Sequence, residues 1–161
     1  MSADTKNAKG SGREAPLVRR ATPDFRWESV AHMPYKEEGS APFKAISRQI
    51  LHSDPDLAGE LRYFEMDAGG YSTLERHEHV HGVMIFRGHG HCLVGDTVYE
   101  VGPHDLVTIP PMTWHQFRAT RGEPLGFLCL VNVRRDKPQL PTEDELNALK
   151  ADPAIAAFLS R

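Results

Sequence analysis

Apolar and polar side chains alternate with a period of two over most of the chain after Phe43. Such alternation indicates β-strands, because successive side chains of a strand point to opposite faces of its sheet. Turn residues separate the alternating segments at intervals of roughly 8–12 residues, which is typical of a sandwich or barrel. No helical pattern alternates with them, so an all-β fold is predicted rather than a parallel α/β sheet. The segments are FKAISRQIL, in which the alternation is imperfect, ELRYFEM, HGVMIFRG, GHCLV, TVYEVG, DLVTIPP, HQFRAT and LGFLCLVNV.

The two ends of the chain differ from this central part. Residues 1–22 are rich in Lys, Ala, Ser, Gly and Glu without apolar periodicity, so we predict a disordered tail. Residues 23–135 are predicted to form an extended N-terminal arm followed by one β-barrel. Residues 136–161 are predicted to form short helices. Thr142 and Glu145 make a capping box there, and Asp152-Pro153 suits the start of a second helix.

The composition narrows the class of protein. Of the 161 residues 40% are hydrophobic, enough for a packed core, and the net charge of −3 comes with no strongly basic stretch. A nucleic-acid partner is therefore not expected. No apolar run suits a membrane span, and the first residues do not form a secretory signal, so no membrane is expected either. Two cysteines do not make a disulfide framework, and we predict a cytoplasmic protein.

The stretch STLERHEHVHGVMIF concentrates ionisable side chains in front of an apolar run. Glu75 and His77 share a face if they lie on one strand, and His81 opens the next strand, so the three can converge. Buried imidazoles and carboxylates without partners are costly, and several together favour a bound metal ion. His115, which follows a proline-held turn, is the candidate for a fourth ligand.

A plainer interpretation stays open at this point. Histidines in loops are often only solvated, and HEHVH could be a turn on the surface. His79 falls in the turn itself, where alternation does not fix its direction, so its role as a ligand is also open. The other histidines lie in loops or beside hairpin glycines and are expected to be exposed: His32, His52, His89, His91 and His104.

The spacing of the candidate ligands resembles the first motif of the cupin family, G-x5-H-x-H-x3/4-E-x6-G. This chain has Gly69, Glu75, His77, His81 and Gly88 at the same spacing. The chemistry is permuted, because Glu75 stands where the motif has its first histidine and His81 where it has its glutamate.

A second stretch resembles the second cupin motif, G-x5-P-x-G-x2-H-x3-N. This chain keeps Pro110 and His115 at that spacing, but His104 and Met112 replace the two glycines and Ala119 replaces the asparagine. Taken together, the two motifs resemble those of a cupin over residues 43–133.

The resemblance is to small single-domain cupins, and to a group in which four histidines hold a manganese-type site, with Glu75 replacing the first histidine. It implies an all-β, jelly-roll-like cupin β-barrel, a homodimer and one divalent transition metal per chain. The ligands would be Glu75, His77, His81 and His115. Mn or Fe is expected, and Ni, Zn or Cu are alternatives.

The resemblance also places a substrate pocket inside the barrel. By alternation Arg62, Phe64 and Met66 share one face, as do Phe127 and Cys129. Small cupins turn these faces inward, so Phe64, Met66 and Phe127 are expected to line the pocket.

Arg62 and Cys129 are then the candidate catalytic residues. Arg62 could bind a substrate carboxylate or enolate, or it could pair with Glu60 or Glu65 at the rim of the barrel. Cys129 could equally be a small buried apolar residue.

Three classes of function fit this site, each with a small-molecule ligand. The prediction is a metal-dependent dioxygenase, an oxidoreductase using open positions on the metal. The alternatives are a non-redox isomerase, lyase or decarboxylase, and a binding or sensor barrel without catalysis.

Overall fold

Nine β-strands and two short α-helices make up the described part of the chain, residues 16–161 of a computed structural model. Most of the predicted tail, residues 1–15, lies outside the described residues. The strands are β1 (Met33–Pro34), β2 (Lys44–His52), β3 (Gly59–Tyr71), β4 (His81–Arg87), β5 (Gly90–Val94), β6 (Thr97–Val101), β7 (Leu106–Ile109), β8 (His115–Ala119) and β9 (Leu125–Asn132). The helices are α1 (Glu143–Lys150) and α2 (Pro153–Leu159).

The strands form one antiparallel sheet that curls around an apolar interior. Its order is β6-β5-β8-β3-β9-β4-β7, with β2 paired to β3 and β1 paired to β2. The long strand β3 pairs with β2 and β9 and reaches β8 at Tyr71, so it joins the two halves of the sheet. The predicted all-β fold is confirmed. Strands β5 and β6 form a hairpin around Gly95, whose φ of +67° suits glycine.

Inward-facing side chains of the strands build the main core. Alternation places one face of each strand inside, and the residues there are almost completely shielded from water. The buried members are Ile46, Phe64, Met66, Val83, Ile85, Cys92, Val101, Ile109, Phe117, Ala119, Leu125, Phe127, Cys129 and Val131.

The two C-terminal helices begin where the sequence predicts. The Thr142 hydroxyl accepts a hydrogen bond from the backbone N–H of Glu145, and the Glu145 carboxylate accepts one from the backbone N–H of Thr142, which completes the capping box. Helix α2 follows Asp152 and buries Ile155 and Phe158 in a second apolar cluster with Leu93 of β5. Within residues 16–161, neither helix has the length and apolar character that crossing a membrane requires.

The N-terminal arm wraps around the sheet of its own chain. Phe25 and Trp27 pack against Tyr63 and Phe86 on the outer side of β3 and β4. The chain then pairs with β2 through β1 and brings Tyr35 to the mouth of the barrel. The arm therefore reaches the place where the candidate ligands lie.

Two turn residues adopt the left-handed conformation that normally favours glycine. His104 has a φ of +75° and Met112 a φ of +52°. They are the two positions at which the second cupin motif has glycine, so the backbone of that motif is kept although its side chains differ.

Candidate metal centre

Three histidine side chains meet at the mouth of the barrel. His77 lies in the loop before β4, His81 opens β4 and His115 opens β8. One ring nitrogen from each falls within 4.8 Å of the other two, and Nε2 of His77 lies 3.0 Å from Nε2 of His81. His77 and His115 are buried, with 1% and 6% of their surface exposed. Of the residues that alternation predicts to converge, His77 and His81 do so, and His115, predicted as a fourth ligand, joins them.

Backbone carbonyl groups fix which nitrogen of two rings carries the hydrogen. Nδ1 of His77 lies 2.7 Å from the carbonyl oxygen of His79, and Nδ1 of His115 lies 3.0 Å from that of Thr113. A carbonyl oxygen only accepts, so each Nδ1 is the donor and each Nε2 keeps its lone pair. This is the arrangement by which second partners orient histidines on a metal.

Burial keeps the three rings neutral. It is the main reason that the pKa of His81 falls to about 2 and that of His115 to about 4, and it also lowers the pKa of His77. Neutral imidazole is the form that binds a metal ion. The donor set therefore fits a divalent transition metal.

Glu75 lies beside this cluster but has another partner. Its backbone pairs with that of His115, with N–O distances of 3.2 and 3.0 Å. The carboxylate forms an ion pair with Lys36, on the arm. Burial raises the pKa of this carboxyl, and Lys36 opposes the rise. Lys36 holds Oε2 of this carboxylate, and the three histidines meet without it, so the role of Glu75 as fourth ligand stays a prediction.

His79 takes part in a second cluster, with Asp136. The ring of His79 stacks on that of His77 with the centroids 3.6 Å apart, and its Nδ1 lies 2.6 Å from Oδ1 of Asp136. Asp136 also accepts hydrogen bonds from the backbone N–H groups of Glu78 and His79. It thereby holds the turn that positions His77. One potential ligand atom from each of His77, His79 and Asp136 lies within 4.8 Å of the other two.

A small cavity of about 40 Å³ adjoins the histidines inside the barrel. Phe64 and Phe127 line it, as predicted from the inward faces. Met66 shares their face but lies two residues further along β3, where it is fully buried in the core and does not border the cavity. The arm residue Tyr35 closes one side, and its ring packs against Phe64.

The two candidate catalytic residues face each other across neighbouring strands. Arg62 of β3 is paired in register with Cys129 of β9. The sulfur of Cys129 lines the cavity and lies 3.0 Å from Nδ1 of His81. Burial raises the pKa of the Cys129 thiol to about 12, and the charges of Arg62 and Arg135 oppose this rise. Arg62 itself pairs with Glu60, one of the alternatives that the sequence left open.

Residues distant in sequence complete the site, and local patterns did not reveal them. Lys36, Tyr35 and Asp136 belong to the arm and to the segment after β9, with no motif of their own. One supporting contact did have a local signal. The proline-rich turn before His115 contains Thr113, whose carbonyl oxygen lies 3.0 Å from Nδ1 of His115.

Comparisons with known proteins agree with this architecture. The sequence profile described as the cupin domain matches residues 62–131. The 1-methylthio-D-xylulose 5-phosphate methylsulfurylase of Rhodospirillum rubrum is 62% identical over 135 residues, which are 84% of this chain and 86% of that protein.

Two crystal structures are also similar. A cupin 2 conserved barrel domain protein from Rhodopseudomonas palustris is 63% identical with a TM-score of 0.83, over 88% of this chain and 97% of that one. A cupin-2 domain protein from Rhodospirillum rubrum is 57% identical with a TM-score of 0.81, over 91% and 97% of the two chains.

Proposed function

The chain belongs to the cupin family, and we propose that it is a metal-dependent enzyme that removes the methylthio group of a 1-methylthio-ketose 5-phosphate. The observation that carries the proposal is the distance of 3.0 Å between the sulfur of Cys129 and Nδ1 of His81. It brings a thiol and a candidate metal ligand to the same cavity. The name of the methylsulfurylase from Rhodospirillum rubrum, 62% identical to this chain, supplies the substrate.

The chain's own residues divide the work as follows. His77, His81 and His115 would hold a divalent metal, which would supply Lewis-acid polarisation of the substrate ketone. Cys129 would supply the attacking sulfur. With Nε2 of His81 directed at the cluster, its Nδ1 carries the hydrogen and donates to the sulfur of Cys129, which stabilises negative charge there. The Arg62 guanidinium favours the thiolate as well.

The proposed step is a transfer of the methylthio group to Cys129. The thiolate attacks the substrate sulfur, a new S–S bond forms and the bond between C1 and sulfur breaks. The electron pair stays on C1, in conjugation with the ketone, and C1 takes up the proton that the thiol lost. The products are a 1-deoxy-ketose 5-phosphate and a methyl disulfide on Cys129. A second, small-molecule thiol then takes the methylthio group by thiol–disulfide exchange and restores Cys129.

The dioxygenase predicted from the sequence stays a second candidate. A site of three neutral histidines leaves positions open on a metal, and such positions suit O2 as well as a ketone. The same holds for an isomerase or lyase. Sulfur transfer has the better support, because it alone uses Cys129 and agrees with the name of the methylsulfurylase.

The test supplies metal-loaded protein with 1-methylthio-D-xylulose 5-phosphate, first without and then with a small thiol. We expect one 1-deoxy product per chain without the thiol and continuous turnover with it, followed by the new methyl signal in NMR spectra. Mass spectrometry of the thiol-free sample should locate a methylthio group on Cys129. Consumption of O2 with no deoxy product would instead favour the dioxygenase.

Cys92 provides the matched control. It is the second free cysteine, is also buried, and lies on β5 away from the histidine cavity. Cys92→Ser should keep the activity, whereas Cys129→Ser should lose it while keeping its metal. Full activity of Cys129→Ser would contradict the proposed transfer.

We also propose that the protein is a homodimer, as the resemblance implied, and that it is cytoplasmic. The dimer is supported by exposed apolar side chains on the outer faces of neighbouring strands β4, β7 and β9. Met84 is 41% exposed, Leu106 68% and Leu130 57%, and Met84 is paired in register with Leu106. A second copy that covers this outer face would bury apolar surface that is otherwise in contact with water.

A further inference from the structure

Two arginines pair with one carboxylate beside the histidine cavity, and a third arginine lies on the neighbouring strand. Glu60 and Arg62 lie on the inward face of β3, with 6% and 8% of their surface exposed. Arg62 forms an ion pair with Glu60, and the guanidinium of Arg135, after β9, lies 3.3 Å from the same carboxylate oxygen. Arg48 lies on the neighbouring strand β2, two residues from Ile50, which is paired in register with Arg62. Arg48 is therefore a diagonal neighbour of Arg62 on the same face of the sheet.

The charges in this cluster do not balance. Within residues 16–161, Glu60 is the one carboxylate that forms ion pairs with any of the three arginines. Arg48 has no ion pair there, and its Nε is buried without a hydrogen-bond partner. Three guanidinium groups and one carboxylate leave a surplus of two positive charges. Arg62 is buried and Arg48 is half-buried, whereas Arg135 is exposed, so part of this surplus is shielded from water, where an anion would offset its cost.

The cluster lies next to the residues assigned to catalysis. Arg62 is paired in register with Cys129, and Arg48 is paired with Phe64, which lines the cavity. A ligand whose reacting end meets Cys129 would therefore bring its other end near these arginines.

We propose that Arg48, Arg62 and Arg135 form the subsite for the phosphate group of a sugar phosphate. The inference rests on the proposed function and names the part of the chain that recognises its substrate class. A phosphate dianion matches the surplus charge, and guanidinium groups bind phosphate oxygens through paired, charge-assisted hydrogen bonds. Glu60 then holds two of the guanidinium groups in place rather than neutralising the site.

The buried Nε of Arg48, which has no hydrogen-bond partner among the described residues, is the strongest single indication of a phosphate subsite. A purely structural arginine in this position would be expected to have its buried donor satisfied, as Arg118 does through Gln116 at 3.1 Å. Arg48 instead keeps a donor unused among the described residues. An oxygen of the ligand would complete it.

The test measures binding without turnover. D-xylulose 5-phosphate and D-xylulose, which carry no methylthio group, are titrated into metal-loaded protein by calorimetry, and inorganic phosphate is added as a competitor. We expect wild type to prefer the phosphate ester and inorganic phosphate to displace it. Arg48→Met should weaken binding of the ester about 10- to 100-fold, with no change for D-xylulose.

Arg121→Met is the matched control. Arg121 is exposed, lies in the loop after β8 and lines a different cavity, so its loss removes the same charge elsewhere. It should leave both titrations unchanged. Arg135→Met serves as a second variant in case Arg48→Met folds poorly, and it should weaken the ester selectively too.

The outcomes separate this subsite from the reaction. Equal weakening of ester and free sugar in the arginine variants, or no preference for the ester in wild type, would overturn the subsite. Arg48-dependent binding of the ester, together with no deoxy product from the methylthio substrate, would uphold the subsite and overturn the proposed reaction.

Discussion

The ammonium group of Lys36 forms an ion pair with the carboxylate of Glu75, 39 residues later in the chain. This pair ties the N-terminal arm to the edge of the three-histidine cluster. It also places an internal cation where a bound metal would need the same carboxylate. Lys36 and a metal ion therefore compete for Glu75, if Glu75 is the fourth ligand that the sequence predicts.

Removing Lys36 should strengthen metal binding. Lys36→Met frees the carboxylate to face the histidines, and we expect about a fivefold lower dissociation constant for Mn, as for loss of a partly exposed ion pair. Glu75→Gln should act in the opposite direction and weaken binding about 10- to 100-fold. Competition with a chelator of known affinity measures both. Wild-type affinity in the two variants would show that Glu75 is not a ligand.

The histidine cluster should hold one metal per chain. His115→Ala leaves two of the three converging nitrogens, so we expect loss of stoichiometric metal in elemental analysis of protein purified without a metal-binding tag. His89→Ala is the control, since the side chain of His89 is 59% exposed and pairs with Glu123 on the surface. Equal metal content in the two variants would contradict the assignment. Circular dichroism checks that both are folded.

The sequence predicted the parts of this molecule that depend on neighbouring residues. Alternation located β4 to β9, and the capping box located α1, because both patterns act within a few positions. The alternation that groups His77 with His81 also acts within a few positions, whereas His115 was added by the turn before it and by the spacing of the second cupin motif.

Contacts between distant segments could not be predicted in this way. Asp136 meets His79 across 57 residues, and Lys36 reaches Glu75 from the arm. These partners are set by how the sheet curls and where its ends return, which no local pattern encodes. Alternation also predicts that Met66 faces the inside of the barrel, but not how far along the barrel it lies. It therefore placed Met66 in the lining of the cavity, whereas Met66 is buried in the core.

The exposed outer face of β4, β7 and β9 predicts a change of oligomeric state. Leu130→Glu places a charge in the middle of the proposed interface and should shift the protein from dimer to monomer in analytical ultracentrifugation. Leu57→Glu is the control, since Leu57 is 45% exposed but lies in the loop before β3. A monomeric wild type would contradict the proposed dimer, and so would an unchanged dimer in Leu130→Glu.

Met112 predicts a gain in stability. The left-handed backbone at this position destabilises the folded state by about 1–3 kcal/mol for any residue with a Cβ, and glycine avoids this strain. Glycine also makes the unfolded chain more flexible, which offsets up to about 1 kcal/mol of that gain. Met112→Gly should therefore raise the free energy of unfolding by about 1 kcal/mol in urea titrations of metal-free protein. Met112→Ala keeps the Cβ and should give no gain. The N–H group of residue 112 still donates to the carbonyl oxygen of His77 in both variants, so metal content should stay unchanged. Equal stability of the glycine and alanine variants would mean that the turn stores no strain.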